Sequence, residues 1–189
     1  MNLGLEDVVR TLADMPPAEL AALKKRVDGA NAKYRWVPNP GPQTAAYYSL
    51  ADVLLYGGEP GGGKSQLGLG LAFNEHQKTL VMRREYGDLD QLISDSLKIH
   101  GSREGFNGSP PPRLRISGEQ TINFAAAHRV GDESGQMGKG KDLVFIDEAT
   151  HFAQSQIRFV MGWNRTEDPA QRCRVVLATN PPLRPEGCG

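Results

Sequence analysis

Strands that alternate with helices along 189 residues predict an α/β fold: a doubly wound, mostly parallel sheet with helices on both faces. Three observations carry that expectation. Apolar runs at residues 52–57, 79–83, 143–146 and 174–178 have strand length, and helical apolar spacing fills stretches between them. Three of the runs end in chemically suggestive residues: a glycine-rich loop, Asp147-Glu148, and Thr179-Asn180. Ligands of open parallel sheets bind outside the carboxyl ends of strands, so three such ends point to one site.

In chain order, residues 3–27 read as helical, with Val8, Val9, Leu12 and Met15 before the Pro16-Pro17 break and Leu20, Leu23 and Val27 after it. Pro17 with Glu19 opens the second helix at its first turn. Residues 34–43 carry three prolines and read as irregular. A first strand (52–57) leads into a helix (63–75). Within that helix Gly68 and Gly70 each cost about 1 kcal/mol against alanine, which predicts close packing of its backbone onto the sheet. A strand (79–83) and a helix (88–99) follow, then a Gly/Pro/Ser-rich loop (101–112). Polar–apolar alternation in 113–117 and 121–125 around Gly118-Glu119 predicts a hairpin. Residues 129–141 read as a polar loop, 143–146 as a fully buried strand, 154–163 as a helix and 174–178 as another buried strand. The organisation is an N-terminal helical segment (1–33), a main domain (34–182) and an irregular tail (183–189). Little sequence remains before Gly189 for a fifth strand, which leaves the sheet open to being incomplete there.

Composition narrows the class but not the chemistry. Lys+Arg and Asp+Glu both total 22, which argues against a surface wholly tuned to nucleic acid and still allows a local basic groove. Cys173 and Cys188 are too few for a disulfide framework and suit a reducing compartment. No charged region followed by an apolar stretch opens the sequence, so no signal peptide is expected, and no run approaches the ~18 apolar residues of a membrane span. The expectation is a soluble, intracellular protein without a membrane partner.

The most informative stretch is Gly58-Glu59-Pro60-Gly61-Gly62-Gly63-Lys64-Ser65. It fits the phosphate-binding pattern G-x-x-x-x-G-K-[ST] and lies between a strand and a helix, the context the motif requires. Its glycines let backbone N–H groups line one concavity at the positive end of a helix. Lys64 can then reach terminal phosphates, and the Ser65 hydroxyl can ligate Mg²⁺. Asp147 and Glu148 close an apolar strand. In phosphate-loop ATPases the first acid serves Mg²⁺, and the second can orient or deprotonate the attacking water. Thr179 or Asn180 can hydrogen-bond that water or the γ-phosphate. Gln43, ahead of the loop, can read an adenine edge with both amide groups. These parts predict a P-loop NTPase fold of the ASCE type that binds ATP and Mg²⁺.

Together the residues resemble the ATPase half of a tailed-phage terminase large subunit. The matching pieces are residues 36–46, the loop with its strand (53–65), residues 81–89, 144–150 and 174–182. The resemblance implies ATP hydrolysis coupled to translocation of double-stranded DNA into a procapsid. It implies several copies acting on a portal protein, a terminase small subunit as partner, and the cytoplasm of a bacterial host. By the family's pattern Gln43 contacts adenine, Lys64 and Ser65 the phosphates and metal, and Asp147 the metal. Glu148 is the catalytic carboxylate, and Thr179-Asn180 couples hydrolysis to motion. The family's nuclease domain has no counterpart in this sequence. Its phosphate-loop arginine is also missing, since Glu59-Pro60 stands there; Arg83, Arg84, Arg129 and Lys139 are candidates to supply that charge. Two alternatives stay open: nucleotide binding without turnover, and another phosphate-loop enzyme such as a kinase. For DNA, Lys139, Lys141, Arg158, Arg165, Arg172 and Arg174 form a scatter rather than a stripe, read as solvated surface, and Trp163 reads as core.

Overall fold

The computed structural model describes residues 10–180. Val8, Val9, Pro181, Pro182, Cys188 and the 183–189 tail lie outside the described residues. The chain divides into two compact units, Met1–Arg35 and Trp36–Gly189.

In the first unit, residues 10–13 make a helical turn before the proline pair, and helix α1 spans Pro17–Asn31 with Pro17 in its first turn. None of the residues of α1 is buried. Its apolar positions therefore add nothing to a core, and helix-forming Ala, Leu and Lys carry it.

The second unit is built on a seven-stranded sheet: β1 (Val53–Gly57), β2 (Lys78–Arg83), β3 (Phe106–Asn107), β4 (Arg113–Ser117), β5 (Gln120–Ala126), β6 (Leu143–Ile146) and β7 (Arg174–Thr179). The spatial order is β1-β7-β6-β2-β5-β4-β3. From β1 to β5 every pairing is parallel. The β5-β4 and β4-β3 pairings are antiparallel, so the expected hairpin forms and extends the sheet at one side. Strand β7 lies between the phosphate-loop strand β1 and the acid-bearing strand β6, the additional-strand topology of the ASCE type.

Helices cover both faces. Leu67, Leu69, Leu71 and Phe73 of α3 (Lys64–Asn74) and Leu89 and Leu92 of α4 (Leu89–His100) pack on one face with Val81, Phe124, Phe145 and Val176. On the other face Val160 of α5 (Gln154–Met161) and Phe152 pack on Leu80, Met82, Val144 and Ile146. Strand β6 shows why its sequence is unbroken apolar: with both faces covered, successive side chains alternate between two cores.

Several sequence expectations need correction. Helix α2 (Pro42–Tyr47) begins within the stretch read as irregular, and β3 lies within the 101–112 loop. Six- and two-residue elements are too short to show periodicity. Gly68 does approach the sheet, since a Cβ there would lie 2.5 Å from the Phe145 ring, but Gly70 meets the Trp36 indole instead. Residues 132–136 form a 3-10 turn. Arg174 is buried and donates to the carbonyls of Ala46 (2.9 Å) and Tyr47 (3.1 Å) at the end of α2, so it is not a surface base. Trp163 is half-buried, with the Arg165 guanidinium 4.5 Å from its ring centre.

Candidate functional site

Strands β1, β6 and β7 run in the same direction, and their carboxyl ends converge. Gly57 is paired with Thr179 across β1 and β7, and the Gly58 N–H donates to the Thr179 carbonyl at 3.3 Å. Past Gly58 the chain curls back through Gly61 (φ +88°) and Gly63 (φ +68°) before α3 begins at Lys64. Both dihedrals lie where a Cβ is strained, so the glycines are what allow the curl. Tyr56 Oη donates to the Gly62 carbonyl at 3.2 Å and ties the loop to its strand.

The loop, the acids and the end of β7 line a cavity of about 370 Å³, shared by Pro60, Gly61, Gly63, Lys64, Ser65, Arg83, Asp147, Glu148, Thr179 and Asn180. Lys64 Nζ donates to the carbonyls of Gly58 (2.8 Å) and Glu59 (2.7 Å). Ser65 Oγ donates to Asp147 Oδ2 at 2.9 Å. A hydroxyl and a buried carboxylate, two hard oxygen donors from different elements, thus sit side by side, a donor set that fits Mg²⁺.

Arg83, at the end of β2, packs against the same carboxylate. Its Nη2 and Nε donate to Asp147 Oδ2 at 2.7 and 3.1 Å, and Nη2 lies 3.7 Å from Glu148 Oε1. Glu148 adopts a left-handed backbone (φ 55°, ψ 48°) as it enters the 3-10 turn Ala149–His151. That conformation costs a non-glycine residue roughly 1–2 kcal/mol. Its other oxygen lies 3.4 Å from His151 Nδ1, and Arg84 Nη1 donates to the His151 carbonyl. Thr150 and Thr179 share a hydroxyl–hydroxyl hydrogen bond of 2.8 Å that links this turn to β7. Asn180 Oδ1 is buried without a partner among the described residues.

Gln43 is not in this cavity's lining. It is 3 % exposed; its Oε1 accepts from the Asn39 N–H (2.6 Å), and its Nε2 donates to the Gly63 carbonyl (2.8 Å). The amide nitrogen thus braces Gly63 of the glycine-rich loop while the amide oxygen holds Asn39, and reading an adenine edge requires exchanging those bonds. Among the candidate charges, Arg83 lies at the acids and Arg84 stands behind His151. Lys139 donates to the Gly135 carbonyl, and neither it nor Arg129 lines the cavity. Asp95 of α4 also lines it, and nothing in its sequence context singles it out. Burial pushes its carboxyl up, but hydrogen bonds from Lys98 and Gln91 and the Lys98 charge outweigh that and leave its pKa below the ordinary value.

A phosphate loop capping α3, an acid pair on the strand two places away and β7 between them define the fold class of the P-loop nucleoside triphosphatases. Among solved structures, the chain is similar to the large terminase of the thermophilic bacteriophage D6E (TM-score 0.55, 16% identity, 74% of this chain and 38% of that one). It is also similar to the large terminase of bacteriophage HK97 (TM-score 0.52, 12% identity, 75% of this chain and 33% of that one). At such identities the likeness is one of fold, and the chain spans about a third of the length of the terminases it resembles. No protein-family profile matches the chain, and no curated protein matches it by sequence.

Proposed function

We propose that this chain is the ATP-hydrolysing portion of a DNA-packaging motor of the large-terminase kind. The observation that carries the reading is the Ser65 Oγ–Asp147 Oδ2 contact of 2.9 Å in one cavity with Lys64. It joins the phosphate loop to the acid pair across 82 residues of sequence. Loop N–H groups and Lys64 bind the triphosphate, and Ser65 with Asp147 would hold Mg²⁺. When bound, the ion neutralises charge on the phosphate oxygens. Glu148 accepts the proton of a water aligned with the γ-phosphate, and Thr179-Asn180, joined to the acid turn through Thr150, couple that step to β7. Arg83, already against both carboxylates, joins Lys64 as a cation placed to offset charge that develops there. On this reading the partners are double-stranded DNA, a portal protein, a terminase small subunit and further copies of the chain. The setting is the cytoplasm of a bacterial host.

A second reading, nucleotide binding without turnover, is favoured by Arg83, which occupies the same Asp147 oxygen that Ser65 uses. Phosphate release with and without duplex DNA separates the two. On the motor reading, Glu148→Gln retains ATP binding and loses about 10²–10⁴-fold in turnover, while Lys64→Ala loses ATP binding. Saturable binding by the unmodified chain with no release supports the second reading. Unchanged ATP affinity in Lys64→Ala would falsify both.

A further inference from the structure

A different cavity, of about 380 Å³, is lined by Lys78, Arg113, Arg115 and Lys141 with Thr121 and Asn123. The register assembles it. Lys78 and Arg115 both pair with Thr121, from β2 and β4 on either side of β5, and Arg113 pairs with Asn123. Along β4 Leu114 and Ile116 are buried while Arg113 and Arg115 are exposed, so the two arginines share the open face from backbone positions roughly 7 Å apart along the strand. Lys141 arrives at the start of β6, where the Asp142 N–H donates to the Lys78 carbonyl at 3.0 Å.

This cluster is short of counter-charge. Lys141 is 9 % exposed, yet no carboxylate of the described residues pairs with it and its side chain makes no hydrogen bond among them. The adjacent Asp142 turns elsewhere: its Oδ2 accepts from the N–H groups of Gln77 (3.0 Å) and Lys78 (2.9 Å), and its Oδ1, buried without a hydrogen bond among the described residues, lies 3.3 Å from His76 Nδ1. Arg113 and Arg115 also lack ion pairs among the described residues. The one carboxylate on the lining, Glu119, is largely exposed and forms a long ion pair of 3.8 Å with Lys78. Burial, then the charges of Lys139 and Lys78 and, more weakly, Arg113, push the Lys141 pKa down, against the opposing charge of Asp142, which does not offset them.

We infer that this face binds phosphate groups, and specifically the phosphodiester backbone of a nucleic acid. Planar guanidinium groups match phosphate oxygens pairwise. Two of them on the open face of one strand suit a chain of phosphates, with the buried ammonium gripping one. Only the duplex form of the nucleic acid rests on the motor reading; the cation cluster stands without it. Lys78 begins the strand that Arg83 ends, so the face lies at the opposite end of β2 from the acid pair.

The test is binding of a short labelled duplex of mixed sequence across a salt series, with binding of an ATP analogue measured on the same proteins. Arg113→Ala/Arg115→Ala is expected to weaken duplex binding, lower the log–log salt slope by about 2, and keep ATP-analogue binding. Lys141→Gln, expected to lower the slope by about 1, serves if the double variant does not fold. Unchanged slopes in both overturn the proposal. So does displacement of the duplex by tripolyphosphate at equal phosphate concentration, which assigns the face to small phosphates. An unmodified chain that binds the ATP analogue but not the duplex overturns this inference and leaves the motor's nucleotide site standing. Duplex binding without analogue binding does the reverse.

Discussion

Lys141 shows at the scale of one residue how a functional charge is set against stability. Its pKa is depressed in the folded chain, while the unfolded chain titrates near the ordinary value of about 10.4. The unfolded state therefore holds that proton more tightly, and the charged side chain destabilises the folded state at neutral pH. The penalty fades as pH rises between the folded and unfolded values. Lys141→Met is thus expected to raise the melting temperature at neutral pH and to remove part of the gain in stability on alkalinisation, while weakening duplex binding. Thermal melts over a pH series check this; a lower melting temperature at neutral pH would count against it. Sequence alone made Lys141 one of a scatter of bases, because its neighbours Lys78 and Arg113 come from strands distant in sequence. Asp147 and Glu148, by contrast, were legible from their place after an apolar strand.

At the scale of elements, α3 depends on its glycines. Gly68→Ala gains up to about 1 kcal/mol of helix propensity but places a methyl 2.5 Å from the fully buried Phe145 ring, and overpacking costs about 1–3 kcal/mol. The expected net result is loss of stability, read as a melting temperature lowered by a few degrees; an unchanged or higher value would mean that the ring can move aside. Helix α2 depends on one side chain from far along the chain. Arg174→Met strips the donors from the carbonyls of Ala46 and Tyr47, with an expected loss of roughly 1–3 kcal/mol by chemical denaturation. Because α2 carries Gln43, which braces Gly63, the same variant is expected to weaken ATP binding. The α3 glycines could be flagged from sequence. What each one meets could not, and α2 was invisible because a six-residue helix held by a distant arginine leaves no local pattern.

Across the whole sheet, β1 has β7 as its one neighbour among the described strands. Leu55 on that strand is 65 % exposed. An apolar strand with unpaired backbone groups is a template for pairing with another chain. The protein is expected to associate as its concentration rises, and Leu55→Lys to suppress this in sedimentation velocity; equal association by both would rule out β1 as the contact. What the amino-acid sequence determined alone is whatever depends on near neighbours along the chain. The phosphate loop between a strand and a helix, the buried strands, the hairpin and the acid pair all follow from spacing of a few residues and the backbone needs of glycine. Only the tertiary structure decided which of these meet. It put Ser65 and Arg83 on Asp147, turned Gln43 onto Gly63, buried Arg174, and gathered cations from two strands and the approach to a third on one face. Those contacts depend on strand order and register, which arise when a two-sided core closes and which no short stretch of sequence encodes.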